Sequence, residues 1–192
     1  MKSLILTTLI NGWPIPSGEY PEVLKVRSME GNHFQDCTAV VINQREVVTA
    51  AHCVMGESPI IFGSNYAHCK VHDYLDLAIC AANVPLKPPY ARLTSKGPRI
   101  GEYITLTGAG CTSPERWPDG IIRYGYAPVT SLGGEHILTE SETVLCFGDS
   151  GGPAFRRGTH ELLGINSRGD VRTRSLMVKT YTPEVLSWIR DD

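Results

Sequence analysis

Apolar residues along this chain fall in short runs that alternate with polar positions and end at turn-forming residues, the period of strands rather than of helices. Val23-Leu24-Lys25-Val26-Arg27 predicts a first strand, and Thr38 to Ile42 with Glu46 to Thr49 predict a hairpin turning at Asn43-Gln44. Further strands are predicted around Ile60 to Phe62, Leu77 to Cys80, Tyr103 to Thr107, Gly120 to Ala127, Thr143 to Cys146, Ala154 to Arg156 and Leu162 to Asn166. The turn signals between them, drawn from 19 glycines and 13 prolines, are those of an all-β fold, a barrel or a sandwich. The period changes at the end of the chain. Thr182-Pro183-Glu184 offers a capping hydroxyl, a proline for the first turn and an acid at the positive end of the helix dipole. Val185, Leu186 and Ile189 then share a face, so a short helix over 183–190 is expected to dock on the body. Residues 10–22, with Ile10, Trp13 and Ile15 among prolines and glycines, are expected to lie across its surface. The prolines at 85, 88 and 89 are expected to connect two lobes, over roughly 23–84 and 99–181.

Composition narrows the class. A length of 192 residues suffices for one compact unit or two small lobes sharing a core, and a net charge of -2 gives no support to nucleic acid as a partner. Six cysteines with no CxxC pair favour disulfides over zinc or a redox motif, which points to an oxidising compartment, secreted or periplasmic. The apolar stretch Leu4 to Ile10 is far too brief for a membrane span, so residues 1–9 read as a propeptide or the remnant of an export signal. Arg156, Arg157, Arg168, Arg172 and Arg174 crowd the last third of the chain and read mainly as solvated loop charges.

Candidate chemistry centres on Cys146-Phe147-Gly148-Asp149-Ser150-Gly151-Gly152-Pro153. Glycines and proline around one serine keep side chains away, so the backbone can turn sharply and leave amides free. A serine hydroxyl becomes a useful nucleophile when a base takes its proton and amide N–H groups hold the oxyanion that forms, and the amides of Gly148 and Ser150 are placed to do that. His52, in Thr49-Ala50-Ala51-His52-Cys53, follows an apolar strand among residues too small to hide it and is the candidate base. Asp76, in Tyr74-Leu75-Asp76-Leu77-Ala78, is a carboxylate inside an apolar run; burying it demands a partner, and the His52 ring is the one proposed.

These three motifs, in the order His, Asp, Ser, resemble the trypsin/chymotrypsin-like serine proteases, and the resemblance extends over nearly the whole chain. Ile10-Asn11-Gly12-Trp13 is similar to that family's mature N-terminus, Gly108-Ala109-Gly110 to a turn of its second barrel, Ser167-Arg168-Gly169 to its substrate-pairing strand and Ser187-Trp188-Ile189 to its terminal helix. The resemblance implies two six-stranded antiparallel β-barrels with the site in the cleft between them, a peptidase domain over 10–192, and the family's known mechanism: acyl-enzyme at Ser150, proton transfer by His52, orientation by Asp76, and no metal or organic cofactor. It implies that cleavage before Ile10 frees an α-amine to pair with Asp149, making the longer chain a zymogen, although Leu9 departs from the usual basic residue at such a cut. The cysteines by themselves allow about 15 pairings. The resemblance implies Cys37 with Cys53; it places Cys111 beside the active-site loop, whence Cys111 with Cys146, and Cys69 with Cys80 is left.

By register from Ser150 the resemblance puts Val144 at the base of the specificity pocket and Gly169 and Met177 on its walls, so small or medium apolar side chains are expected rather than Lys or Arg. Arg168, beside the pairing strand, is a candidate to attract acidic groups on a substrate. The expected partners are a peptide or protein substrate, with an activating protease and a protein inhibitor as further partners; nucleic acid and membrane are not expected, and the molecule is expected to be a monomer. The competing readings are a catalytically silent relative acting as a binding module and a serine esterase; the latter lacks its strand-turn-helix Gly-x-Ser-x-Gly arrangement here.

Overall fold

The computed structural model describes residues 9–190, so the leader expected over residues 1–9 lies, Leu9 apart, outside the described residues. After a two-residue strand β1 (Trp13–Pro14), the chain builds β2 (Val23–Glu30), β3 (His33–Val41), β4 (Glu46–Thr49), β5 (Ile60–Phe62), β6 (Asn65–Val71) and β7 (Ala78–Ala82). Asn43 sets the β3–β4 turn: its Oδ1 accepts the amide N–H groups of Arg45 at 2.8 Å and Glu46 at 2.9 Å, a local substitute for strand bonds. The six strands close in the order β2-β3-β4-β7-β6-β5, with Arg27 of β2 facing Ile61 of β5 at the seam. Closure removes free sheet edges and turns the alternating apolar positions of each strand inward.

The second barrel uses β9 (Tyr103–Gly108), β10 (Arg123–Ser131), β11 (His136–Glu140), β12 (Pro153–Arg156), β13 (Glu161–Gly169) and β14 (Arg174–Lys179), preceded by β8 (Arg92–Leu93). Their order is β9-β10-β11-β14-β13-β12, closed by β12 on β9, with β1 added beside β10 and β8 beside β13. The two barrels are antiparallel throughout apart from the short β8–β13 contact. Leu106, Ile137, Leu163 and Met177 fill the second barrel. The first barrel's core is continuous with Phe155 and Ile165 of the second, and with Val185 and Ile189 of the helix α1 (Pro183–Arg190). A helix this short is marginal alone. Here Thr182 Oγ1 accepts the Val185 N–H at 3.3 Å, and the buried face does the rest.

Two differences from the sequence expectation have physical causes. Thr143 to Cys146 forms no strand, because its amides are diverted to side chains: Leu145 N–H to Ser175 Oγ at 3.0 Å and Cys146 N–H to Asp149 Oδ2 at 2.8 Å. Only Val144 keeps a strand-like pairing, with Ile10. Strands β6, β11 and β14, like the two-residue β1 and β8, carry no prediction; β6 holds Tyr66, His68 and Lys70 on its outward face, which dilutes its apolar signal.

Candidate active site

Strand β4 ends at Thr49, and one tight turn over Ala51–Cys53 presents His52 at the mouth of the cleft, braced by the Cys37–Cys53 disulfide to β3. The turn between β6 and β7 brings Asp76 to it. His52 Nδ1 lies 2.7 Å from Asp76 Oδ2 and 2.9 Å from Oδ1, and the His52 amide donates to Oδ1 at 3.0 Å. Ser167 adds its hydroxyl to Oδ2 at 2.6 Å. Burial raises the Asp76 carboxyl, but the hydrogen bonds from the His52 ring, Ser167 and the His52 amide together outweigh it and hold the group at about 2. Asp76 is therefore a carboxylate at any working pH, and its hold on Nδ1 leaves Nε2 as the nitrogen available to a serine. Sequence reading places Ser167 only in the substrate-pairing strand; a hydroxyl one position before Arg168 carries no signal that it would reach Asp76.

The serine loop is pinned from three sides. Thr38 N–H donates to the Ser150 carbonyl and Thr38 Oγ1 to the Gly148 carbonyl, each at 2.8 Å, and Gly151 N–H donates to Asn166 O at 2.8 Å. Gly151 sits at φ +81°, where a Cβ would stand 2.0 Å from Thr49 Oγ1, so glycine is required there. Among the described residues, no chain acceptor takes the amide N–H of Gly148 or of Ser150. That leaves two donors beside the hydroxyl, the arrangement an oxyanion requires. The Cys111–Cys146 disulfide and the Cys111 N–H bond to Phe147 O, 2.8 Å, tie this loop to the turn after β9. The third bridge, Cys69–Cys80, joins directly paired residues of β6 and β7.

Asp149 points away from the cleft into the protein. It is fully buried, and accepts the amides of Gly110 and Cys146 at 2.8 Å each. Burial pushes its carboxyl up to about 7, against the pull of those two amides and of the Arg123 charge. The N-terminal segment lies nearby: Leu9 is completely buried in the second barrel, Ile10 is half-buried and bridged to Val144, and Asn11 donates to Glu142 O at 2.7 Å. The apolar residue sunk in the barrel is thus Leu9, one position before the expected mature N-terminus.

His52 and Ser150 both line a cavity of about 730 Å³, with Leu145, Ser167, Arg168 and Gly169 on its wall. Among the described residues, no hydrogen bond joins the Ser150 hydroxyl to the His52 ring. Two expected pocket residues lie elsewhere. Val144 is fully buried against Ile10, and Met177 is fully buried in the second-barrel core opposite Asn166. The loop from Ser167 to Leu176 is short and β13 carries a bulge between Asn166 and Arg168, which shifts the alignment; Ser175, two residues before Met177, is the one that reaches the Leu145 amide. A second cavity of about 460 Å³ adjoins the first on the far side of His52, lined by Asp76, Glu135, His136 and Arg168. The ligand atoms of Cys37, His52 and Cys53 lie within 4.8 Å of one another, but the sulfurs are joined to each other and the imidazole serves Asp76, so the chemistry is not that of a metal site.

A family model described as Trypsin matches residues 9–189. Human kallikrein-7 is 26% identical over 223 aligned residues, covering 95% of this chain and 86% of that protein. Alkaline trypsin B of Manduca sexta is 23% identical, covering 96% and 90%. Among solved structures, an inactivated protease paralogue of the scabies mite superposes with a TM-score of 0.78 at 20% identity, covering 94% of this chain and 97% of that one.

Proposed function

The chain belongs to the trypsin family, and from that premise we propose that it is a secreted serine endopeptidase. Ser150 attacks the peptide carbonyl, His52 takes the hydroxyl proton and returns it to the leaving amine, Asp76 holds the imidazole, and the Gly148 and Ser150 amides bind the oxyanion. The observation that carries this reading is the 2.7 Å contact of His52 Nδ1 with Asp76, at the wall of the cavity that also holds Ser150. Three disulfides support an oxidising, extracellular location. No helix among the described residues is long and apolar enough to cross a membrane.

Processing forms part of the proposal. A buried Asp149 with no cation bonded to it among the described residues is poised for a terminal amine, and cleavage would supply one. Burial of Leu9, together with a family match that starts at residue 9, supports a cut between Thr8 and Leu9 rather than before Ile10. Specificity for apolar side chains next to the scissile bond is supported by Leu145 on the cavity wall.

One observation favours a second reading, a silent homologue that binds without cutting: the missing Ser150–His52 hydrogen bond. Apo sites commonly tighten only with substrate, so the first reading is preferred. Incubating the processed protein with a diverse peptide mixture and reading the cut sites by mass spectrometry separates them. Cuts after apolar residues, absent in Ser150→Ala, are the expected result; no cuts, with no mass gain from a fluorophosphonate, would establish the silent reading.

A further inference from the structure

Among the described residues, Arg123 is the only buried lysine or arginine, and its charge acts on Asp149. In the β9–β10 ladder Arg123 lies directly opposite Gly108. Directly opposed residues of an antiparallel pair project to the same face. A Cβ at Gly108 would lie 2.1 Å from Asp149 Oδ1, so the Asp149 carboxyl occupies the side-chain space of Arg123's cross-strand neighbour. The guanidinium is held to one side: it donates to Asp119 through two bonds of 2.9 Å and to Ile121 O at 2.8 Å, while its buried Nε has no acceptor among the described residues. Asp119 is 44% exposed, so water screens its hold on Arg123 far more than the protein screens the interior face.

We propose that Arg123 is a built-in counter-charge for Asp149, which keeps the serine loop in working shape before any terminal amine is released. The uncut chain then has basal reactivity at Ser150, and processing raises it. Arg123 is a positioning residue: it touches no substrate and acts through Asp149, whose two amide bonds to Gly110 and Cys146 fix the loop that carries Gly148 and Ser150. A buried carboxylate without a positive neighbour would be protonated or displaced. The Arg123 charge favours the ionised form, the same direction in which a new N-terminus would act. This inference rests on the peptidase reading.

The test compares two forms, the uncut chain and a chain cut before Leu9 at an inserted site for a sequence-specific protease. The rate of fluorophosphonate incorporation at Ser150 is followed by intact mass. Uncut wild type is expected to react, and Arg123→Gln to slow the uncut form about tenfold, the equivalent of one unit of pKa. The cut form of Arg123→Gln, supplied with its amine, is expected to react like wild type. Arg123→Lys keeps the charge and restores the uncut rate. Asp119→Asn releases the guanidinium and raises the uncut rate, which keeps the test open should Arg123→Gln fail to fold in a thermal melt. An uncut chain that is inert while the cut chain reacts overturns the inference and leaves the peptidase intact, as does an equal loss in both forms of Arg123→Gln. If neither form of wild type reacts, the peptidase reading falls and this inference with it.

Discussion

Ser167 donates its hydroxyl to Asp76 Oδ2 at 2.6 Å, the same oxygen that lies 2.7 Å from His52 Nδ1. Ser167 lies within β13 and thus holds the Asp76 carboxylate from there; under the proposed function, substrate binding and the His52–Asp76 geometry would share that one backbone segment. Replacing Ser167 by alanine removes a hydrogen bond to a charged group, worth about 1.5 kcal/mol after allowance for partial exposure, or roughly tenfold in rate. The loss is expected in kcat, with KM little changed, because the hydroxyl faces Asp76 and not the peptide. Ser167→Thr keeps the donor and should recover most of it. A Ser167→Ala enzyme with unchanged kcat would show that His52 and the turn backbone orient Asp76 unaided.

How much of this site could be read in advance depends on how local its causes are. His52 and Asp76 are legible because each breaks an apolar run, and a polar group there must have a partner. The serine loop is legible because its glycines are forced: the space at Gly151 is taken by Thr49 Oγ1 and by the Thr38 carbonyl. The strand at Thr143 to Cys146 misleads because its apolar pattern is real, but its amides are claimed by Ser175 and Asp149, residues distant or inward-facing. Met177 fails as a pocket wall for a related reason. A bulge in β13 moves the register of β14, and nothing in a single sequence announces a bulge. Ser167 reaches Asp76 from the other barrel, a contact no local pattern in the sequence announces.

The pH dependence of stability should differ between the uncut and processed forms. Asp149 in the folded chain is raised to about 7 from an unfolded value near 3.8, so the folded state holds this proton more tightly. Its contribution is fully present below about 4, falls as pH rises towards 7 and is flat above that, a loss on the order of a few kcal/mol. Asp76, lowered to about 2, works oppositely: its contribution is present above about 4 and is lost as pH falls through 2. The melting temperature of the uncut chain is therefore expected to decline between pH 5 and pH 8, and Asp149→Asn to flatten that decline. Cutting before Leu9 should flatten it too, since an amine paired with the carboxylate favours the ionised form. A decline of the same slope in all three proteins would place its origin in other groups.

Arg168 is the side chain most exposed to a test of substrate choice, because it lines both cavities on either side of the His52 and Ser167 wall. Among the described residues it forms no ion pair, unlike Arg156 and Arg174, which are matched to Glu102 and Glu140. The neighbouring His136 is held below its ordinary value by burial and then by the Arg168 charge, so it adds no second fixed cation there. Glu135 lines the smaller cavity as well and offsets part of the field. Under the proposed function, Arg168 would then meet an acidic side chain in the part of the substrate preceding the scissile bond. Arg168→Glu should reverse the order of kcat/KM between matched peptides carrying Asp or Lys there, by about tenfold for a partly screened pair. It should leave neutral peptides within about twofold, because the substitution does not touch the triad. Equal rates on the acidic and basic peptides in both proteins would return Arg168 to the solvated loop charges that surround it in sequence.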